Sequence, residues 1–362
     1  MIGLLAAVEL FIARHAVDFT PWGGWAWVCG GQAVHEAARG CEVLCFGDSL
    51  VKLGMLPRVI EERIGQRTYN LAICGAEAPV SYFLLRRALE EGARPKAVLV
   101  NHSPDMLAGA PRHFARTWPE LLRPRECLEL SWYARDSTFF AATSLAILFP
   151  SIRARQEIRT CVLLALLGRG SYLHDDTVRY WRNWIVNKGG QATAKNPLFH
   201  GEVDPALSKR LLTHVWCCNR VNLKYIRWFL ELAQAHDIRV FWLLPPITPL
   251  LQQERERAGT DLEQTRFVRD VQDKYPNVLV IDGRHSGYGH WVFIDPIHLD
   301  SEGACTLSAD VAAIIARSQA ARAQMPGWVA LPDYRFRPTD VAMEEIVDFN
   351  VALKLRERRL LR

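Results

Sequence analysis

Two short stretches carry residue types that could do chemistry together. The first is Gly47-Asp48-Ser49, at the end of CEVLCFGDSL. The apolar run Val43-Leu44-Cys45-Phe46 has strand character, and the apolar residues Leu53, Leu56, Ile60 and Ile64 that follow have helical spacing. A strand, a glycine and then a serine opening a helix would expose a hydroxyl at the carboxyl edge of a sheet. Free backbone N–H groups and the positive helix end would face whatever binds there. A serine nucleophile needs that setting: exposure, and donors for the oxyanion formed on attack at an ester. An ordinary helix cap reads the same way in sequence. The second stretch is Asp295-Pro296-Ile297-His298. On a turn, three-residue spacing lets a carboxylate reach the imidazole Nδ1 while Nε2 points outward, which fixes the tautomer and stabilises an imidazolium. A solvated loop pair would carry the same letters.

The elements that must position these residues alternate. Strands are expected at Glu42–Phe46, Thr68–Ile73, Lys96–Val100, Ile238–Pro246 and Asn277–Asp282. Helices are expected from Ser49 to about Gly65, from Pro79 to Gly92, from about Leu250 to Lys274 and from Ser301 to about Gln324. Such alternation predicts an α/β fold, a parallel sheet with helices on both faces. Both stretches, with the glycine Gly75 after the second strand and polar Asn101 after the third, then fall at carboxyl ends of strands, where open α/β sheets bind ligands.

Between about Pro104 and His236 the alternation stops. WPELL, CLELSWYARDSTFFAATSLAILFP and IRARQEIRTCVLLALLG have helical patterns. A looser segment with Trp181, Trp184, Gly189 and Pro197 follows, and then a long helix is expected from Pro205 to Ala235. This block, 106–236, reads as a helical insertion into a core formed by 41–105 and 237–325, preceded by an apolar segment and linker (1–40). The tail, 326–362, is expected to carry an amphipathic helix in DVAMEEIVDFNVALKL. RYWRNWIVNK could stack on sugars or hold an anionic polymer; tryptophans packed inward is the simpler reading.

With 49% hydrophobic and 23% charged residues, the chain has the composition of a core-forming protein. Its net charge of +5 is mostly local, because Lys354, Arg356, Arg358, Arg359 and Arg362, less Glu357, supply +4. No general nucleic-acid surface is implied. The nine cysteines lack disulfide or zinc spacing, and Cys41, Cys45, Cys74 and the Cys217-Cys218 pair read as buried small hydrophobes. H-E-x-x-H, G-x-x-x-x-G-K-[ST] and G-x-G-x-x-G do not occur, so neither metal nor nucleotide cofactor is expected. The opening MIGLLAAVELFIARHAVDF has an apolar run shorter than the ~20 residues that span a bilayer. It reads either as part of a membrane anchor, which favours an extracytoplasmic, membrane-associated location, or as an amphipathic helix docked on the domain, which leaves a cytoplasmic location open.

The Gly-Asp-Ser turn in the first block and Asp-x-x-His in the last resemble the SGNH/GDSL hydrolases, a flavodoxin-like three-layer α/β family of esterases, lipases and carbohydrate deacetylases. The likeness covers roughly 41–105 and 237–320. It implies Ser49 as nucleophile, with Asp295 and His298 completing a triad, and Ser49 and Gly75 N–H groups as oxyanion donors. The family's third block is usually G-x-N-D, with the Asn donating to the oxyanion. Here the stretch is NHSPDML, with Pro104 at the Asn position, and Asn101 is the candidate replacement. Asp48, His102, Tyr288 and His290 are candidate pocket residues. The implied activity is hydrolysis of an O-acyl ester, an acetylated carbohydrate above all. The helical insertion and N-terminal segment are similar in layout to membrane-tethered SGNH polysaccharide O-acetyltransferases. On that alternative a sugar hydroxyl replaces water, and a membrane-bound acyl donor is the partner. A non-catalytic carbohydrate-binding protein on the same fold is the third reading.

Overall fold

The computed structural model describes residues 2–14, 22–36, 39–111, 117–168, 173–212, 215–320 and 326–347. The chain forms two compact units, residues 33–109 with 183–362 and residues 1–32 with 110–182. The division falls inside the helical block expected over 106–236, whose residues 183–236 belong to the sheet unit.

The sheet unit is built on six strands: β1 (Val43–Gly47), β2 (Thr68–Asn70), β3 (Ala97–Asn101), β5 (Arg239–Leu244), β6 (Val278–Asp282) and β7 (Trp328–Ala330), in the order β2-β1-β3-β5-β6-β7. Every pairing is parallel. The strands are short and nearly all apolar because both faces are covered. On one face Cys45, Leu99, Phe241 and Leu279 pack into a cluster with Met55, Ile60, Leu307 and Val311, from helices Pro57–Ile64 and Ser301–Ala320 and the turn before the first. On the other, Phe46 meets Phe229 of helix Arg220–Ala235 edge-on at 5.4 Å, and Phe83 of helix Ala78–Glu90 meets Tyr225 at 5.3 Å. This is an α/β architecture, compatible with a flavodoxin-like sandwich.

Several elements differ from expectation. The helix after β1 is two helices, Ser49–Gly54 and Pro57–Ile64, because Pro57 lacks the N–H that would continue the first. The helix expected from Leu250 to Lys274 breaks at Gly259, which takes a left-handed φ of 79° between Pro249–Arg257 and Thr260–Lys274. The one expected over 205–235 is likewise two, Pro205–Leu211 and Arg220–Ala235. Cys217 and Cys218 lie in the non-helical stretch between them, with Cys217 exposed, so the buried reading fails for that residue. The loose segment after Leu167 contains helix Leu173–Val186 and then β4 (Ala192–Thr193), which pairs with β8 (Glu345–Ile346). The described part of the expected tail helix, 340–347, is not helical but runs into β8, and the rest of the tail, 348–362, lies outside the described residues.

The second unit is helical. Trp118 is fully buried between Trp27, 5.0 Å away edge-on, and Phe139 at 6.1 Å. Helices Pro124–Ala134 and Ser137–Leu148 are separated by Arg135, whose left-handed φ of 54° ends the first, and by Asp136, whose carboxylate caps the second by accepting from Phe139 N–H. Pro150–Arg153 and Arg155–Leu166 continue the layer.

Candidate functional site

β1 ends in a turn only glycine can make. Gly47 has φ +135°, and a β-carbon there would lie 2.0 Å from the Asn101 carbonyl of the neighbouring strand. The chain turns at that point into helix Ser49–Gly54, with Asp48 as its cap. One Asp48 carboxylate oxygen accepts from Leu50 N–H at 2.9 Å; the other accepts from the Ser103 N–H at 2.6 Å and hydroxyl at 2.7 Å. Asp48 is therefore buried and clamps the end of β1 to the segment after β3. It is a fixing residue for its neighbour and is not open to a ligand, contrary to the pocket role expected for it. Burial pushes its carboxyl up to about 6 in spite of these three donors.

Ser49 itself is half-buried, and its hydroxyl lies 2.7 Å from His298 Nε2 across 249 positions of sequence. His298 Nδ1 lies 2.6 Å from one Asp295 oxygen, while the other accepts from the Ile297 and His298 N–H groups at 2.8 Å each. Burial alone would raise the Asp295 carboxyl, but the imidazole beside it and these hydrogen bonds prevail and hold it below the usual carboxylate range. Burial likewise opposes charge on His298, yet the Asp295 carboxylate and its hydrogen bond raise the imidazole above its ordinary value. An ionised Asp295 accepts from Nδ1–H, which leaves Nε2 to accept the Ser49 O–H.

The turn bearing the pair is fixed from outside the motif. Its flanks Phe293 and Leu299 are buried and paired in an antiparallel bridge, and Ile294 N–H donates to His298 C=O at 2.9 Å. Thr248, just after β5, donates its N–H and its hydroxyl to the Pro296 carbonyl, each at 3.0 Å, and Asn196 Nδ2 donates to Ile294 C=O at 2.7 Å. Thr248, Asn196 and Ser103 are not visible as site residues in the sequence. The only signal any of them offers is Ser103 before Pro104, a cap-like pair. Lys52 was also missed. It is buried one turn after Ser49, with Nζ donating to Gly189 C=O at 2.5 Å and lying 3.2 Å from the centre of the Trp184 ring. Trp184 thus packs inward as expected, while Trp181 is exposed.

The other expected residues divide. The chain after β2 stays beside β1, through Leu71 N–H to Cys45 C=O at 2.7 Å and Ile73 N–H to Gly47 C=O at 3.0 Å. Gly75, with φ +72°, turns two residues later, next to the strand end that carries Ser49. Asn101 is opposite Gly47 in the register, fully buried, with neither side-chain Nδ2 nor Oδ1 hydrogen-bonded. His102 is buried 3.2 Å from the Ser81 hydroxyl, and burial lowers it to about 4, so it is a neutral core histidine and not a pocket residue. Tyr288 is also core, edge-on to Tyr334 at 4.7 Å. It touches a cavity of about 360 Å³ whose other walls include Ile247, Gln252 and Arg284, and on which Ser49, Asp295 and His298 do not lie. His290 is exposed, edge-on to Trp291 at 5.6 Å, and is not a partner in the hydrogen bonds that join Asp295, His298 and Ser49.

An imidazole held in one tautomer between a carboxylate and a half-buried hydroxyl can take that hydroxyl's proton and return it to a leaving group. In comparisons with known proteins, no family model matches the chain and no curated protein matches it in sequence, so the reading of the site rests on its own geometry.

Proposed function

We propose that the chain is a serine esterase of the SGNH/GDSL type acting on O-acyl, above all acetylated carbohydrate, substrates. The observation that carries the reading is the continuous chain of hydrogen bonds from Asp295 through His298 to Ser49, at 2.6 and 2.7 Å. On this mechanism Ser49 Oγ attacks the acyl carbonyl as its proton passes to His298 Nε2. The oxyanion is met by the Ser49 and Gly75 N–H groups, and the tetrahedral adduct collapses to acyl-serine as His298 protonates the departing alkoxide. Water, deprotonated by His298, then attacks the acyl-serine. That releases the acid and restores the hydroxyl. A binding protein without chemistry would have no use for a general base locked against a hydroxyl. A sugar hydroxyl in place of water would make the same site a transferase.

The test is covalent labelling by a fluorophosphonate, read by intact mass and mapped to Ser49. Only neutral His298 can accept the proton, so the labelling rate rises with pH, with its midpoint above the ordinary imidazole value because Asp295 raises it. In Asp295→Asn the raising charge is gone, so the midpoint moves to lower pH and the plateau rate falls by ~10²–10⁴. Labelling elsewhere, or a midpoint that does not move, counts against the triad.

Asn101 separates two versions of the site. If Nδ2 donates to the oxyanion, Asn101→Ala lowers kcat/KM by ~10²–10³. If it is only an unpaired buried amide, the same substitution leaves kcat/KM within about twofold and does not destabilise the fold, because an unmet desolvation penalty is removed. Steady-state hydrolysis of p-nitrophenyl acetate and a thermal melt read both.

A further inference from the structure

The helical unit exposes apolar surface that its own packing does not explain. Helix Arg155–Leu166 has no buried residue, and its second half, Cys161 to Leu166, is entirely apolar with Leu166 80% exposed. Helix Ser137–Leu148 carries no charged residue and is 69% exposed at Leu148, while Trp132 on the preceding helix is 77% exposed. These helices share one packed layer, in which Glu9 of helix Ile2–Arg14 accepts from Ser151 N–H at 2.9 Å. Large apolar faces on a helical layer mark an interaction site.

Charge on the same unit is one-sided. Among the side chains described for it no Asp or Glu is exposed, whereas Arg123, Arg125, Arg135, Arg155 and Arg159 are. The acids are turned to internal partners: Glu126 accepts from Arg123 N–H, Asp136 caps a helix, and Glu120 pairs with Arg153 at 2.8 Å. A groove of about 510 Å³ between helices Pro124–Ala134 and Ser137–Leu148 is lined by Arg135, Trp132 and Phe140 together with the capping Asp136. Guanidinium groups suit phosphate, and aromatic rings suit the boundary between headgroup and hydrocarbon. No described helix is long and apolar enough to cross a membrane; twelve residues rise only ~18 Å, against a hydrocarbon core of ~30 Å.

We propose that this helical unit lies in the interface of an anionic bilayer, with its apolar side chains among the acyl chains and its arginines on lipid phosphates. The occupant is a lipid surface and not a second copy of the chain. Exposed arginines, with no exposed acid among the described side chains of these helices, complement a phosphate-bearing surface and would repel an identical face.

The experiment is flotation of the full chain with phosphatidylcholine vesicles containing one third phosphatidylglycerol. Binding is expected, weakening with salt and on pure phosphatidylcholine. The double variant Leu163→Glu/Leu166→Glu removes apolar contact from a helix with no buried residue, so the fold survives. It should lower the apparent partition coefficient at least about tenfold. Arg155→Glu/Arg159→Glu should abolish the preference for the anionic vesicles. Leu262→Glu, at an exposed leucine of the sheet unit, should bind as the parent does. Ser49→Ala should do so as well, which keeps this result separate from the esterase reading. Absence of binding overturns the proposal, as does equal binding by all variants. So does a dimer that Leu163→Glu/Leu166→Glu dissolves without any vesicle binding, which would assign the face to a second copy.

Discussion

Ser49→Ala is expected to lower kcat/KM for p-nitrophenyl acetate by at least ~10³-fold, equivalent to about 4 kcal/mol of transition-state stabilisation, while the protein stays folded. The fold should tolerate it because the Ser49 hydroxyl supports nothing else: the helix is capped by Asp48, and the hydroxyl's bond is to the His298 ring. His298→Ala should cost a similar amount, since each substitution removes the proton transfer as a unit. Ser49→Ala/His298→Ala should therefore be little worse than either alone. Hydrolysis unchanged in Ser49→Ala, measured against a heat-treated control, would leave the hydrogen-bonded chain as architecture only. Additive losses in the double variant would mean that serine and histidine act in separate steps, and the mechanism above would fail.

The two ends of this site were legible for different reasons. Gly-Asp-Ser reads as a strand–turn–helix because the apolar pattern changes period across it, and Asp-x-x-His because three-residue spacing is the reach of a carboxylate to an imidazole on a turn. Their meeting was legible only through the strand–helix alternation, which sends both to the carboxyl edge of one parallel sheet. What adjacency to a motif does not encode is which way a side chain faces. His102 follows Asn101 at the end of β3, so alternation sends it to the opposite face, where it meets Ser81 of helix Ala78–Glu90. Asp48 looked like a pocket acid, but its carboxylate is consumed by Ser103, 55 residues on. Tyr288 is drawn into the core by Tyr334, a partner that no local window contains. The short strands were missed for a simpler reason. Three residues at Trp328–Ala330, and two each at Ala192–Thr193 and Glu345–Ile346, are fewer than a period-two pattern needs to show itself, and only their partners make them strands.

Gly47→Ala should be among the most damaging single-methyl changes in the sheet unit. Two penalties act together. At φ +135° the backbone is in a region that side chains with a β-carbon rarely adopt, at about 1–3 kcal/mol. The new carbon would also stand 2.0 Å from the Asn101 carbonyl oxygen, which is backbone in the adjacent strand and cannot swing away. Relief requires β1 and β3 to part at the end that carries Ser49 on one strand and Asn101 on the other. Stability and catalysis should therefore fall together: a loss of at least about 3 kcal/mol by urea titration of the sheet unit, with fluorophosphonate labelling of any folded fraction slowed as Ser49 leaves His298. Gly65→Ala supplies the comparison. It ends helix Pro57–Ile64 at φ +68° with no atom within 4 Å of the added carbon, so it carries the left-handed penalty of about 1 kcal/mol and nothing more. If the two variants melt alike, the strands have room to separate at Gly47. The close approach of β1 to β3 is then not what holds the serine against its base.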